Sequence, residues 1–475
     1  MLRLCYIYNM QKRALNVSSG FTIVELLVVI VVIGILAAIT IVSYTGIAQK
    51  AIAASLNSDL SNATTQIKLF QISDPNGNYP TANNCPTLST TEICLKSSGS
   101  NSFIGNYGVN NNTNPKIFSL NINNGTTYYH TTNNSAPIVG IMGKLSALST
   151  PTIATDANPY SITISTNGTS VYVVNLGSNT ISMYSRNAST GVLSALATPT
   201  IGTGAAPQGI TISADGNSVY VANTNSNTIS MYSRNASTGA LTALSTPTVA
   251  TGTNPYGLVV SADGTSVYAA NRGSNSISMY SRNTSTGMLT ALGTPTIAAG
   301  SQTCNIAISA DGTSVYGVNL GSNTISMYSR NADTGALTAL GTPTVATGPS
   351  PFGITISADG TSVYSANSSS NTIAMFSRNT ITGVLTALST PTITTDAWPL
   401  LVTISADGTS VYTTNTDSNT ISIYSRNTST GALTALASPT IATGSQPYGI
   451  AVSADGTSIY SLNYNANSIS MYSRQ

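Results

Sequence analysis

Charge is scarce in this chain. Only 6% of its 475 residues are Asp, Glu, Lys or Arg, and 16 basic against 14 acidic side chains leave a net charge of +2. Such a balance supplies neither the basic patch that a nucleic-acid partner needs nor an acidic tail. Histidine occurs once, at His130. A single imidazole cannot form a metal site by itself, and His130 reads as a structural or surface residue in mid-strand. Tryptophan also occurs once, at Trp398. Beyond residue 142 the chain has no His and no Glu, and Lys144 is its last lysine. No pair of titratable groups recurs there at a spacing that marks general acid–base work. Polarity comes instead from Ser, Thr and Asn, a composition common on secreted bacterial surface proteins. No metal and no cofactor is expected.

What the chain does have is one long apolar run. Gly20 is followed by Phe21, then by a single carboxylate at Glu25, and no charge follows from Leu26 to Gln49. A helix needs about 20 apolar residues to cross a bilayer core, so 21–43 reads as a membrane span. Arg3, Lys12 and Arg13 precede it and only Lys50 follows closely, which keeps the N-terminus cytoplasmic and sends the bulk of the chain outward. A carboxylate near the start of such a span is expensive unless paired.

The Gly20-Phe21-x-x-x-Glu25 segment with its apolar run resembles the N-terminus of type IV pilins and pseudopilins. The resemblance implies cleavage by a prepilin peptidase between Gly20 and Phe21, N-methylation of Phe21, and use of Glu25 in assembly with other pilin subunits. Residues 1–20 are then a leader, or 10–20 if translation starts at Met10. The helix is expected to continue to residue 73, roughly 80 Å at about 1.5 Å per residue, with Ile52, Leu56, Leu60, Ile67 and Phe70 on its packing face. It ends at the turn signal Asp74-Pro75-Asn76-Gly77. Residues 74–137 read as a small α+β pilin head, with strands at Pro115–Ile122 and Thr126–Thr132 joined through Asn123-Asn124-Gly125. Cys5 would leave with the leader. Outside the cytoplasm Cys85 and Cys94 are expected to form a disulfide, and Cys304 reads as a buried small hydrophobe. Residues 138–142 are a linker.

From residue 143 to 475 the chain repeats. Asp215, Asp263, Asp311, Asp359, Asp407 and Asp455 each precede a glycine and stand 48 residues apart, with Asn167 in the first copy's equivalent place. Tyr172 and Arg186 begin series with the same spacing. Each copy breaks into four short strands. In the third these are A at Gly257–Ser261, B at Ser266–Asn271, C at Ser276–Arg282 and D at Met288–Leu292. Gly, Asn and Asp fill the turns. Four antiparallel strands per repeat make a propeller blade. The last copy lacks a strand D, and a D motif stands at the front, from Gly143 to Pro151. Seven blades should therefore close into a ring, which removes the open edges a linear array would leave. The phrases ISADGTSVYVAN and STGALTAL resemble YVTN-type and lactonase-like propellers.

The Asp-Gly pairs read as tight turns, and each Arg at the end of strand C is expected to pair with the Asp of its own blade, leaving Arg186 to Asn167. Sequons at Asn187, Asn235, Asn283 and Asn427 follow from turn composition. The copies differ in their D–A and B–C loops, which should share one face. That face carries Trp398, Tyr160, Tyr256, Arg272, Phe352, Tyr448 and Tyr464, suited to a host-cell glycan or surface protein; the alternative for the D–A aromatics is that they plug the ring's central channel. The whole reads as a mainly β protein, a minor or tip-proximal subunit of a pilus-like filament that displays an adhesive propeller at the cell surface and is not an enzyme. The alternatives are a surface-tethered lactonase-like enzyme and a pseudopilin of a secretion or DNA-uptake machine.

Overall fold

The computed structural model describes residues 143–474 without a break. Before them it describes residues 55, 58–59, 61–69 and 95 and short strands between residues 82 and 140. The chain divides into two units, residues 1–124 with 129–138 and residues 125–128 with 139–475.

In the first unit residues 61–69 are helical, with Ala63 and Ile67 buried and Leu69 exposed. Ala63 and Ile67 lie four residues apart, on one helix face. Among the described residues no helix is long and apolar enough to cross a membrane. The expected span at 21–43 and most of the expected helix 21–73 lie outside those residues, as do Gly20, Phe21, Glu25, Cys85 and Cys94. Ile117–Asn123 and Tyr128–Thr132 are neighbours in a five-stranded sheet that also holds Ser102–Phe103, Gly108–Asn110 and Ile138–Gly140. Ala82–Asn83 and Glu92–Ile93 form a separate parallel pair.

The second unit is a seven-bladed propeller of four-stranded antiparallel sheets. Blade 1 starts with strand A at Pro159–Ile164, and blade 7 ends with strand C at Ser468–Arg474. Leu145–Ala154 pairs with Ser468–Arg474 and supplies the missing strand D of blade 7, so the ring closes. Strands A line the axis and approach one another all the way round, blade 7 to blade 1 included.

Side chains along a strand alternate between sheet faces, and here both faces are covered. In strand B of blade 2, Tyr220 and Ala222 pack with Leu258, Val267 and Tyr280 of blade 3. Val219 and Val221 face the other way and pack with Tyr172 and Val174 of blade 1. Strand B is therefore buried end to end in every blade; its centre is apolar in blade 2, while in blades 5 to 7 the small polar residues Ser365, Thr413, Thr414 and Ser461 are buried within it. Burial of each large apolar side chain stabilises by about 1.5–3 kcal/mol.

Strands B and C fall where the sequence places them, at Ser266–Asn271 and Ser276–Arg282 in blade 3. Strand D does not stop at Leu292; it runs from Leu289 to Ala298 through Pro295. Proline reads as a stop in sequence, yet an outer edge strand tolerates it because one of its edges has no ladder to maintain. The register jumps there, from Ser278↔Thr296 to Tyr280↔Ala291, so strand D bulges around Gly293-Thr294-Pro295.

Candidate functional site: two unlike faces of the ring

The Asp-Gly face is occupied by contacts between blades. Arg282, at the end of strand C in blade 3, donates from Nε to the hydroxyl of Tyr220 at 2.8 Å and from Nη1 to the carbonyl of Gly264 at 3.0 Å. Its Nη2 meets Asp215 at 2.8 Å and Ser218 at 3.0 Å. Gly264 belongs to its own blade; Tyr220, Asp215 and Ser218 belong to the blade before. The expected pairing within one blade is thus replaced by pairing across the seam. The same shift sets Arg330 on Asp263, Arg378 on Asp311, Arg426 on Asp359, Arg474 on Asp407 and Arg186 on Asp455. Arg186 closes the ring onto blade 7, and Arg234 is the one that faces Asn167. Tyr220 passes the link forward, donating its hydroxyl to the carbonyl of Gly287 in blade 3 at 2.7 Å. The arginine side chains are almost wholly buried. Their donors are occupied, so they form no anion-binding ring.

Burial pushes the Asp311 carboxyl up, but hydrogen bonds from Ser309 and Thr313 and the charge of Arg378 outweigh it and hold the pKa at about 2. Asp359 and Asp455 are likewise held at about 2 by the same kinds of partner. Among the described residues no cluster of three or more His, Cys, Asp or Glu could hold a metal ion.

On the opposite face the D–A and B–C loops interlock. The last residue of each B–C turn is an Asn with positive φ, and its Oδ1 accepts the backbone N–H of a D–A residue in the following blade. Asn227 accepts from Asn254 at 2.8 Å, Asn275 from Gln302 at 2.7 Å and Asn371 from Trp398 at 2.9 Å. The accepted residue also has positive φ in every blade, 60° at Trp398. These bonds pin the loop backbones and leave the side chains to vary.

The aromatic residues divide into two groups. Tyr160, Tyr256, Phe352, Tyr448 and Tyr464 gather around the axis. Tyr448 and Tyr464 stack at 4.6 Å, while Tyr256 meets Tyr160 at 6.2 Å and Phe352 at 6.0 Å, both edge to face. Tyr160 and Phe352 are only 8% exposed, so part of the expected recognition set plugs the channel. A cavity of about 270 Å³ includes these two rings, Leu258, Cys304 and Asn305 in its lining. Cys304 is fully buried, and burial pushes its thiol up to about 12, so it stays protonated and inert. Trp398 stands apart from this cluster and is 43% exposed.

Off the axis, across blades 2 to 4, lies a cleft of about 570 Å³ lined by Gln208, Asn254, Tyr256, Arg272, Ser301 and Gln302, among others. Arg272 lies over the Tyr256 ring, 5.3 Å from its centroid. Sequence reading marked Arg272 and Tyr256 but missed the amides. Gln208 stands where the other copies carry Tyr, Cys, Phe or Leu, whereas Gln302 has a glutamine counterpart in Gln446.

Residues 132–255, 245–354 and 344–446 match the family described as lactonase, 7-bladed β-propeller. The chain belongs to that family. Residues 15–41 match the prokaryotic N-terminal methylation motif, so the pilin-type start and the lactonase-type propeller occur in one chain. No curated protein matches. Among solved structures, a 6-phosphogluconolactonase candidate from Bacteroides fragilis is 20% identical with TM-score 0.55, covering 74% of this chain and 96% of its own. The periplasmic gluconolactonase PpgL of Pseudomonas aeruginosa is 18% identical with TM-score 0.52, covering 67% and 93%. At such identities these likenesses show the fold.

The family match overturns the expectation that the propeller is not an enzyme. Absence of His and Glu excludes only sites built from those two residue types. The loop face still carries Arg272, Asp156, Asp396, Asp417 and tyrosine hydroxyls.

Proposed function

We propose that this protein is a subunit of a type IV pilus-like filament, minor or tip-proximal, which displays a lactonase-family propeller at the cell surface and recognises sugar-bearing surfaces through its D–A/B–C face. In this reading a prepilin peptidase removes residues 1–20, Phe21 is methylated, and Glu25 guides assembly with other pilin subunits. The observation that carries the reading is the contrast between the faces. One face is alike in every blade and is taken up by blade-to-blade bonds. The other keeps a uniform backbone yet varies its side chains, and it sets Tyr256, several amides and Arg272 around an open cleft. Aromatic faces and amides suit sugar rings and hydroxyls, and loops on a rigid scaffold are where binding residues concentrate.

Cell adhesion by the full chain and its variants tests this. Trp398→Ala together with Tyr464→Ala should lower adhesion without unfolding the ring. Adhesion that survives both changes sinks the reading. A second reading, hydrolysis of a sugar lactone at the same face, is favoured by the family match. Turnover of gluconolactone by the full chain that falls with Arg272→Gln and Tyr256→Phe supports it.

A further inference from the structure

We infer that the off-axis cleft takes the carboxylate of an acidic sugar, a hexuronate or similar sugar acid, with Arg272 as its anchor. The inference rests on the reading of the loop face as a recognition surface and names what that face recognises.

The propeller's other arginines are accounted for. Six are paired with carboxylates across a blade seam, and Arg234 is held by Asn167, Thr169, Ser170 and Tyr172. Arg272 is different. Among the described residues its guanidinium makes no ion pair, and its one hydrogen bond, to the Tyr256 hydroxyl, is long at 3.4 Å. A guanidinium carries five donors in a planar fork that matches a carboxylate. Most of that fork is free, and it points into a cleft in which no acidic residue takes part.

The fork is also held in place. The Tyr256 ring lies beneath it and is itself fixed edge to face by Tyr160 and Phe352. The Arg272 backbone N–H is bound to the Asn254 carbonyl at 2.9 Å. An anchor that is already ordered loses little entropy on binding.

The surroundings ask for hydroxyls. Asn254 and Gln302 line the cleft from backbones pinned by Asn227 and Asn275. Oε1 of Gln208 is buried without a partner. An unpaired buried amide oxygen is costly, and a ligand hydroxyl that donates to it removes the cost. One carboxylate for the fork and several hydroxyls for the amides describe a sugar acid. A neutral sugar would satisfy the amides and leave Arg272 partly desolvated without a counter-charge. The equivalent positions in other blades are Leu176, Thr224, Leu320, Ser368, Thr416 and Tyr464, so the ring carries one such site.

The test is titration calorimetry on the full chain in detergent micelles, with trigalacturonate and its methyl ester as probes. The ester keeps the shape and removes the charge. Trigalacturonate should bind at least about tenfold more tightly than the ester, and added salt should narrow the gap. Arg272→Gln should abolish the difference while leaving the melting temperature unchanged, and Gln302→Ala should weaken both ligands alike. Equal affinity for acid and ester, unchanged trigalacturonate affinity in Arg272→Gln, or no binding of trigalacturonate by the wild type overturns the inference. If acid and ester bind equally, and both are lost on changing Trp398 and Tyr464, the face remains the recognition surface and only the anion assignment falls.

Discussion

Arg234 reaches across a blade seam to Asn167, Nη2 to Oδ1 at 3.4 Å, where six equivalent arginines reach a carboxylate at 2.8 to 3.0 Å. The arginine in this seam is as buried as the others, yet it lacks the counter-charge. Asn167→Asp should therefore complete the set and raise stability by up to about 1 kcal/mol, the upper end for a half-exposed pair. Urea unfolding of the two proteins at pH 7 measures it. A lower midpoint for the variant would show that this seam is tuned to a neutral partner.

Acid should open the seams. The native carboxyls of Asp311, Asp359 and Asp455 titrate at about 2, below the roughly 3.9 of an unfolded aspartate. The unfolded chain therefore binds more protons in this range, and stability falls as pH falls. The contribution is complete above about pH 4 and is lost between there and pH 2. Melting temperatures should be level near neutrality and drop through that window. A level profile down to pH 2 would remove the seam pairs from the stability of the ring.

Gly239 sits at a turn that only glycine fits. Its φ is +76°, and a Cβ there would meet the Ser170 hydroxyl of the preceding blade. Its carbonyl also accepts the Tyr172 hydroxyl at 2.6 Å. Gly239→Ala combines left-handed strain, about 1 kcal/mol, with overpacking of about 1–3 kcal/mol. A loss of roughly 2 kcal/mol or more is expected by chemical unfolding, whereas Gly293→Ala, which meets nothing on the bulged strand, should be nearly neutral.

Trp398 occupies a left-handed position, φ 60°, where other blades carry Asn, Ala, Gln or Ser. Trp398→Gly should relieve about 1 kcal/mol of backbone strain and raise the unfolding midpoint. If the side chain is a binding anchor, the same change should lower adhesion, and anchors of this kind are worth about 2 kcal/mol or more. Higher stability with intact adhesion would leave Trp398 without the role proposed for it.

Processing can be checked by mass. Gly20→Trp should block removal of residues 1–20, and an unchanged mature mass would end the prepilin reading. Glu25→Val should leave the protein inserted in the membrane but poorly assembled. Normal filament incorporation of that variant would remove the role given to Glu25.

Most of the propeller is legible in the sequence because a strict repeat turns every turn residue and every apolar stripe into seven observations. Strands B and C are bounded by Gly, Asn and Arg at fixed offsets, and they fall where expected. The partner of each arginine is not legible in the same way. In a 48-residue repeat, the aspartate of a blade and that of its neighbour are the same residue in the same setting. Only the sheet twist and blade packing decide that Arg282 takes Asp215 and not Asp263. The extent of strand D was hidden by its proline. The loop face was legible as a face, since the copies diverge there, but whether its aromatics plug the channel or meet a ligand stayed open. Tyr160 and Phe352 belong to the channel plug because their strands lie at the axis, which spacing alone does not reveal.

The pairing of Leu145–Ala154 with Ser468–Arg474 sets an order of events. Ser146 accepts a hydrogen bond from Ser473 across 327 residues of chain. The first strand of the ring to be made must therefore wait for the last one. Loop-closure entropy grows only slowly with such a separation, so the cost lies in time and not in final stability. Until the final blade arrives, the ring is an open arc with two unprotected sheet edges, and long-range β pairing is slow and exposed to aggregation. A chaperone that shields the leading strand, or a Pro and bulge that make it a poor template, would be useful during just that interval. The second device is already present in it, at Pro151.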